Sequence, residues 1–173
     1  MSNIKSFNHN INVKNKRVII RADFNVPIVN NLIQDTTRID LCIPLIKELL
    51  DKKAKLFLLS HFGRPKSTRD KSLTLKPVYD YIKEKIGNNV YFFSEEIDND
   101  SKIKTSFLKQ GEMILFENLR FNDGEIKNDE QFAKKLSKLG EIYINDAFSC
   151  SHRKQASVHK ITKYVKNSFG GPN

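Results

Sequence analysis

The sequence predicts an α/β fold: a doubly wound, mostly parallel sheet with helices on both faces, a Rossmann-like three-layer sandwich. Three observations predict it. Short, continuous apolar runs recur at 18–20, 55–60, 90–93, 113–116 and 141–144, and continuity without alternation marks strands covered on both faces. Segments with apolar residues at helical spacing separate most of these runs, an alternation that yields parallel sheets. Several runs end in polar clusters, and open α/β sheets bind ligands beyond the carboxyl ends of their strands.

The first run, Val18-Ile19-Ile20, leads into Arg21-Ala22-Asp23-Phe24-Asn25-Val26-Pro27. Pro27 has no N–H for a sheet ladder, so the strand stops there and delivers Asp23 and Asn25 to its end. Residues 27–33 read as a small hairpin, because Asn30-Asn31 tolerates the positive φ of a tight turn. Asp35, Thr36 and Thr37 offer N-caps to a helix whose apolar face is Ile39, Cys42, Ile43, Ile46, Leu49 and Leu50. Arg38 falls in its first turn, where a cation opposes the helix dipole, and position alone makes it an ordinary exposed arginine. The second strand, 55–60, exits into His61-Phe62-Gly63-Arg64-Pro65, and 66–71 is a polar, mobile loop.

Thr74 is placed to cap a helix running to Ile86, with Pro77 tolerated in the first turn and Gly87 as the stop. Strand 90–93 follows, then a polar stretch holding a short helix around 103–108. Strand 113–116 exits into Glu117-Asn118-Leu119-Arg120-Phe121. Asn128 and Gln131 resemble a capping pair for a helix carrying Phe132, Ala133, Leu136 and Leu139, ended by Gly140. Strand 141–144 exits into Asn145-Asp146 and, further on, His152-Arg153, and a last short helix is expected over 157–164.

The 173 residues fit a single domain with its own core. Hydrophobic content of 39% and charged content of 29% are those of an ordinary globular chain. Nothing approaches the roughly 18 consecutive apolar residues of a membrane span, and residues 1–10 lack an apolar signal-peptide core. Two unclustered cysteines, Cys42 and Cys150, fit neither a disulfide framework nor a zinc site, and point to the cytoplasm. The net charge of +10 admits an anionic partner or only a solvated surface, so the placement of the arginines says more than their number.

That placement is concentrated. Four strand ends carry Asp23/Asn25, His61/Arg64, Asn118/Arg120 and Asp146/His152/Arg153, and a parallel sheet brings all four to one edge, with Arg38 nearby. Guanidinium groups bind phosphate and carboxylate through paired donors, so the crevice suits a small ligand with several negative charges. Asp23 and Asn25 add acceptors for a hydroxyl. There is no G-x-x-x-x-G-K-[ST] loop and no G-x-G-x-x-G after a strand, hence no nucleotide cradle, and no metal-ligand spacing.

These motifs resemble the phosphoglycerate kinase family: 21–27, Thr37-Arg38-Ile39, Ser60-His61-Phe62-Gly63-Arg64-Pro65, 117–121, and 145–148 through His152-Arg153, in family order over nearly the whole chain. The resemblance implies the N-terminal, phosphoglycerate-binding domain of a two-domain monomer of glycolysis and gluconeogenesis, all of 1–173 being that domain. That family interconverts 1,3-bisphosphoglycerate and ADP with 3-phosphoglycerate and ATP. The cofactor Mg-ATP or Mg-ADP belongs to a C-terminal domain outside these residues, so this chain alone is expected to show no turnover, no nucleotide site and no metal. Carried over by motif, Asp23, Phe24, Asn25, His61, Phe62, Gly63, Arg64, Arg120 and Arg153 contact the substrate. Arg38 contacts it too and neutralises the phosphoryl group in flight. The sequence departs from the family pattern at Ser149, Cys150 and Gln155. Two other readings stand beside this one: a stand-alone basic anion-binding domain that has lost kinase activity, and a nucleic-acid-binding domain. The last ranks lowest, because no aromatic residues interleave a basic face.

Overall fold

The computed structural model describes residues 5–65 and 70–172. Six strands form one wholly parallel sheet in the order β5-β6-β4-β1-β7-β8. They are β1 (Arg17–Ala22), β4 (Lys55–Leu59), β5 (Val90–Phe93), β6 (Met113–Phe116), β7 (Ile142–Asp146) and β8 (Asn167–Gly170). β1 is central, with Ile19 opposite Phe57 on one side and Tyr143 on the other. Its residues 18–22 are all buried, as a strand covered on both faces must be.

Two apolar layers sandwich the sheet. On one face Ile20, Leu56 and Leu58 pack with Ile39, Ile46 and Leu49 of α1 (Thr37–Asp51) and with Val78 and Ile82 of α2 (Lys76–Ile86). On the other, Ile19, Phe57 and Tyr143 meet Phe132, Ala133 and Leu136 of α5 (Glu130–Ser137) and Ile161 of a 3₁₀ turn at Lys160–Lys163. Consecutive strand residues thus feed opposite cores, the period-2 consequence of strand geometry. Pro44 lies inside α1 and forfeits one intrahelical bond. The buried face carries the helix through it.

The hairpin forms as expected: β2 (Ile28–Val29) pairs with β3 (Leu32–Ile33) across Asn30 and Asn31, both at positive φ. Several local expectations are corrected. The helix expected near 103–108 is shorter and starts two residues earlier, as α3 (Ser101–Lys104), because Asp98 Oδ1 accepts from Asp100 N and Ser101 Oγ and starts the turn there. α5 is capped by Asp129, whose Oδ1 accepts from Phe132 N at 2.7 Å, while Asn128 stands outside at φ +50°. Leu75 is the residue before α2, and Thr74 bonds one position further on, to Lys76 N. The expected helix over 157–164 reduces to the 3₁₀ turn at Lys160–Lys163, because Ser157 is committed to Glu125 of α4 (Asp123–Ile126). Most of the loop expected to be mobile, residues 66–69, lies outside the described residues. Lys71 opens a 3₁₀ turn.

Candidate functional site

The sheet order makes β6, β4, β1 and β7 consecutive neighbours. Their carboxyl ends therefore line one edge, and the four polar exits named above converge there. Arg38 reaches the same edge from the first turn of α1: its Nη1 lies 2.6 Å from Asp23 Oδ2. Ser149 Oγ donates to the same carboxylate oxygen. Asn25 Oδ1 accepts from Gly63 N at 2.9 Å, tying the β1 exit to the β4 exit. Gly63 needs to be glycine: its φ is +59°, and a Cβ would sit 2.6 Å from a Leu73 methyl.

Asn118 anchors the other side. Buried after β6, its Oδ1 accepts from Phe62 N and Arg120 N, both at 3.1 Å, and its Nδ2 donates to Phe62 O at 2.7 Å and Leu73 O at 2.8 Å. It holds the His61–Gly63 loop against the short 3₁₀ turn that carries Arg120. The Arg120 guanidinium donates to Gly63 O, while its buried Nε has no protein partner.

His61 is the buried centre of the cluster. Its ring is pushed down to a pKa of about 2, first by burial and then by the charges of Arg21, Arg120, Arg153 and Arg38. Both causes favour the neutral ring. Burial, then the charge of Arg153, also lowers the Arg120 pKa, yet a guanidinium stays charged in a protein.

Arg21 is the member that sequence reasoning missed. Buried in β1, it donates from Nε to Ser157 Oγ (2.8 Å), from Nη2 to His61 Nδ1 (2.8 Å), and from Nη1 to Ala22 O. The signal was present as a lone cation in a β-branched run. Phe24 and Phe62 sit in the core beneath the site, and their backbone groups are spent on Ser60, Val26 and Asn118. They shape its floor and offer no polar atom. Arg64 is exposed on the β4 exit loop, Arg153 is half-buried beyond β7, and His152 is exposed. Asp146 turns away, where the Cys42 thiol bonds to it and burial pushes that thiol up.

Asp23, His61 and Cys150 place a carboxylate, an imidazole nitrogen and a thiol within 4.8 Å of one another, a donor set of zinc type. The surroundings do not fit a cation. Arg38 and Ser149 occupy Asp23 Oδ2, and the Arg21 guanidinium points at His61 Nδ1. A ring accepting at Nδ1 carries its proton on Nε2, and four guanidinium charges act on it. The edge is built for anions. A neighbouring cavity of about 650 Å³ carries Glu95, Glu96, Asp98 and Glu117 in its lining, which suits an anion poorly.

A family model described as phosphoglycerate kinase matches residues 8–172. A phosphoglycerate kinase from Wolbachia sp. subsp. Drosophila simulans (strain wRi) is 44% identical over 161 residues, covering 93% of this chain and 40% of that protein. One from Finegoldia magna is 44% identical over 162 residues, covering 92% and 41%. Among solved structures, phosphoglycerate kinase from Coxiella burnetii superposes with a TM-score of 0.87 at 36% identity, covering 98% of this chain and 42% of that one. The chain spans about 40% of the length of the relatives it matches. The chain belongs to the phosphoglycerate kinase family.

Proposed function

We propose that this chain is the 3-phosphoglycerate-binding half of a phosphoglycerate kinase, acting in glycolysis and gluconeogenesis. The single observation that carries the reading is the convergence of Arg38, His61, Arg120 and Arg153 with Asp23 and Asn25 on the carboxyl edge of four adjacent strands. Arg120, Arg153, Arg64 and His61 hold the phosphate, and Gly63 lets the backbone approach it. Asp23 and Asn25 accept from the hydroxyl end. Charge-assisted hydrogen bonds contribute about 1.5–3 kcal/mol each, so a few suffice for a small, highly charged ligand.

Phosphoryl transfer depends mainly on positioning and on neutralising charge. Arg38 is suited to that second role. It stands at the rim with its side chain 51% exposed and paired with the Asp23 carboxylate, placed to turn toward a phosphoryl group brought from outside. The nucleotide, as Mg-ADP or Mg-ATP, belongs to the part of the longer family members that this chain does not span. The chain alone is a cytoplasmic monomer that binds 3-phosphoglycerate without turnover.

Calorimetric titration with 3-phosphoglycerate and then Mg-ATP tests the reading, repeated for Arg38→Ala and Arg64→Ala. Saturable 3-phosphoglycerate binding, weakened in both variants and without a Mg-ATP signal, is expected. A folded chain that ignores 3-phosphoglycerate and binds simple anions indiscriminately would instead be a stand-alone anion module.

A further inference from the structure

A buried chain of hydrogen bonds runs from α4 to the site, and each of its directions is fixed by chemistry. Glu125 is fully buried; its Oε2 accepts from Ser157 N at 2.9 Å and its Oε1 from Ser157 Oγ at 2.6 Å. The Ser157 hydroxyl proton is thus committed to a carboxylate that only accepts. The same oxygen accepts from Arg21 Nε at 2.8 Å, and Arg21 Nη2 reaches His61 Nδ1 at 2.8 Å. A guanidinium only donates. His61 Nδ1 must therefore accept, and the ring proton lies on Nε2, the atom 3.9 Å from Cys150 Sγ. Tyr143 Oη steadies the arrangement by donating to Ser157 O at 2.6 Å.

We propose that Glu125 and Ser157 are positioning residues: through Arg21 they hold His61 in one neutral tautomer whose Nε2–H is a fixed donor for an anionic oxygen. The opposite tautomer would present a lone pair to that oxygen and repel it. A protonated ring is opposed from every element packed around it. Arg21 approaches from β1, Arg38 from α1, Arg120 from the turn after β6, and Arg153 from the loop after β7. The acceptors on that side are Asp23, already bonded to Arg38 and Ser149, and the Cys150 thiol. The inference rests on the proposed function only for the identity of the anion, and the tautomer is readable without any ligand.

The test is nitrogen-15 NMR of the histidine rings in the intact chain. There are four histidines, and the other three are exposed, so His61 is identified by the signal that disappears in His61→Gln. The wild-type ring is expected as the Nε2–H tautomer, with no titration between roughly pH 5 and 8, near the ordinary histidine pKa. Ser157→Ala, which breaks the bridge, is expected to mix the tautomers or bring titration into that window. It should also weaken 3-phosphoglycerate about tenfold, whereas Ser157→Thr, which keeps the hydroxyl, restores both readings. A wild-type ring found as Nδ1–H, mixed or protonated overturns the proposal even where Ser157→Ala does not fold. So does a folded Ser157→Ala with an unchanged tautomer, whatever its affinity. Failure of 3-phosphoglycerate to bind the wild type counts against the proposed function and leaves the ring spectrum to decide this inference.

Discussion

Asn118→Ala should be among the most damaging single changes near the site. Truncation leaves four backbone groups without their partner: the N–H groups of Phe62 and Arg120 and the carbonyls of Phe62 and Leu73. A buried group left unsatisfied costs about 1–3 kcal/mol, which bounds the loss at roughly 4–12 kcal/mol. Water entering the space vacated by the carboxamide recovers part of it, because Asn118 also borders the neighbouring cavity. A net loss of about 4 kcal/mol is therefore expected. In a domain of this size, where 1 kcal/mol moves Tm by about 2–4 °C, that is a fall of roughly 8–16 °C. Urea unfolding followed by circular dichroism reads it as a lower midpoint with the slope unchanged. A loss below about 1 kcal/mol would refute the view that this side chain ties the His61 loop to the β6 exit.

Other expectations follow from single contacts. Between its folded pKa of about 2 and the ordinary value near 6.5, His61 binds more protons unfolded than folded. Its contribution to stability is therefore complete above about pH 6.5 and is lost as pH falls; urea midpoints of wild type and His61→Gln should converge between pH 6.5 and 4, and a constant gap would contradict this. Gly140→Ala places a Cβ 2.7 Å from Ile19 Cγ1 and 2.9 Å from Arg17 O. It should cost about 1–3 kcal/mol by overpacking, and a neutral thermal melt would show that β1 yields more readily. Arg38→Ala removes an ion pair whose arginine is half exposed, so the unfolding free energy from urea titration should change by less than about 1 kcal/mol while 3-phosphoglycerate affinity in calorimetry drops severalfold. A large stability loss would make Arg38 a structural residue.

The strands of the central sheet were legible because buried parallel strands are continuous apolar runs, and their exits were legible because charge follows them abruptly. β8 was not. Asn167-Ser168-Phe169-Gly170 has little strand character of its own and is ordered by pairing with β7 and by Phe7 N donating to Gly170 O. Asp129 was overlooked as a cap because Asn128 and Gln131 offered a competing pattern one residue earlier. At the site, His61 and Arg120 were found as polar residues where apolar runs stop, whereas Arg38, an ordinary exposed arginine by position, was singled out only by the motif resemblance. Arg21 was passed over as part of the polar stretch after the first run, because its partner Ser157 lies more than 100 residues away and no local spacing announces a contact of that range. Phe24 and Phe62 were placed with the substrate by motif alone, and their burial assigns them to the floor.

If the carboxyl edge of β6-β4-β1-β7, and not the acidic cavity beside it, takes the phosphorylated acid, amide NMR on adding 3-phosphoglycerate should show saturable shifts confined to Asp23, Asn25, Gly63, Arg120 and Arg153 and their neighbours. Shifts centred on Glu95, Glu96 and Asp98, or none in a folded chain, would contradict it.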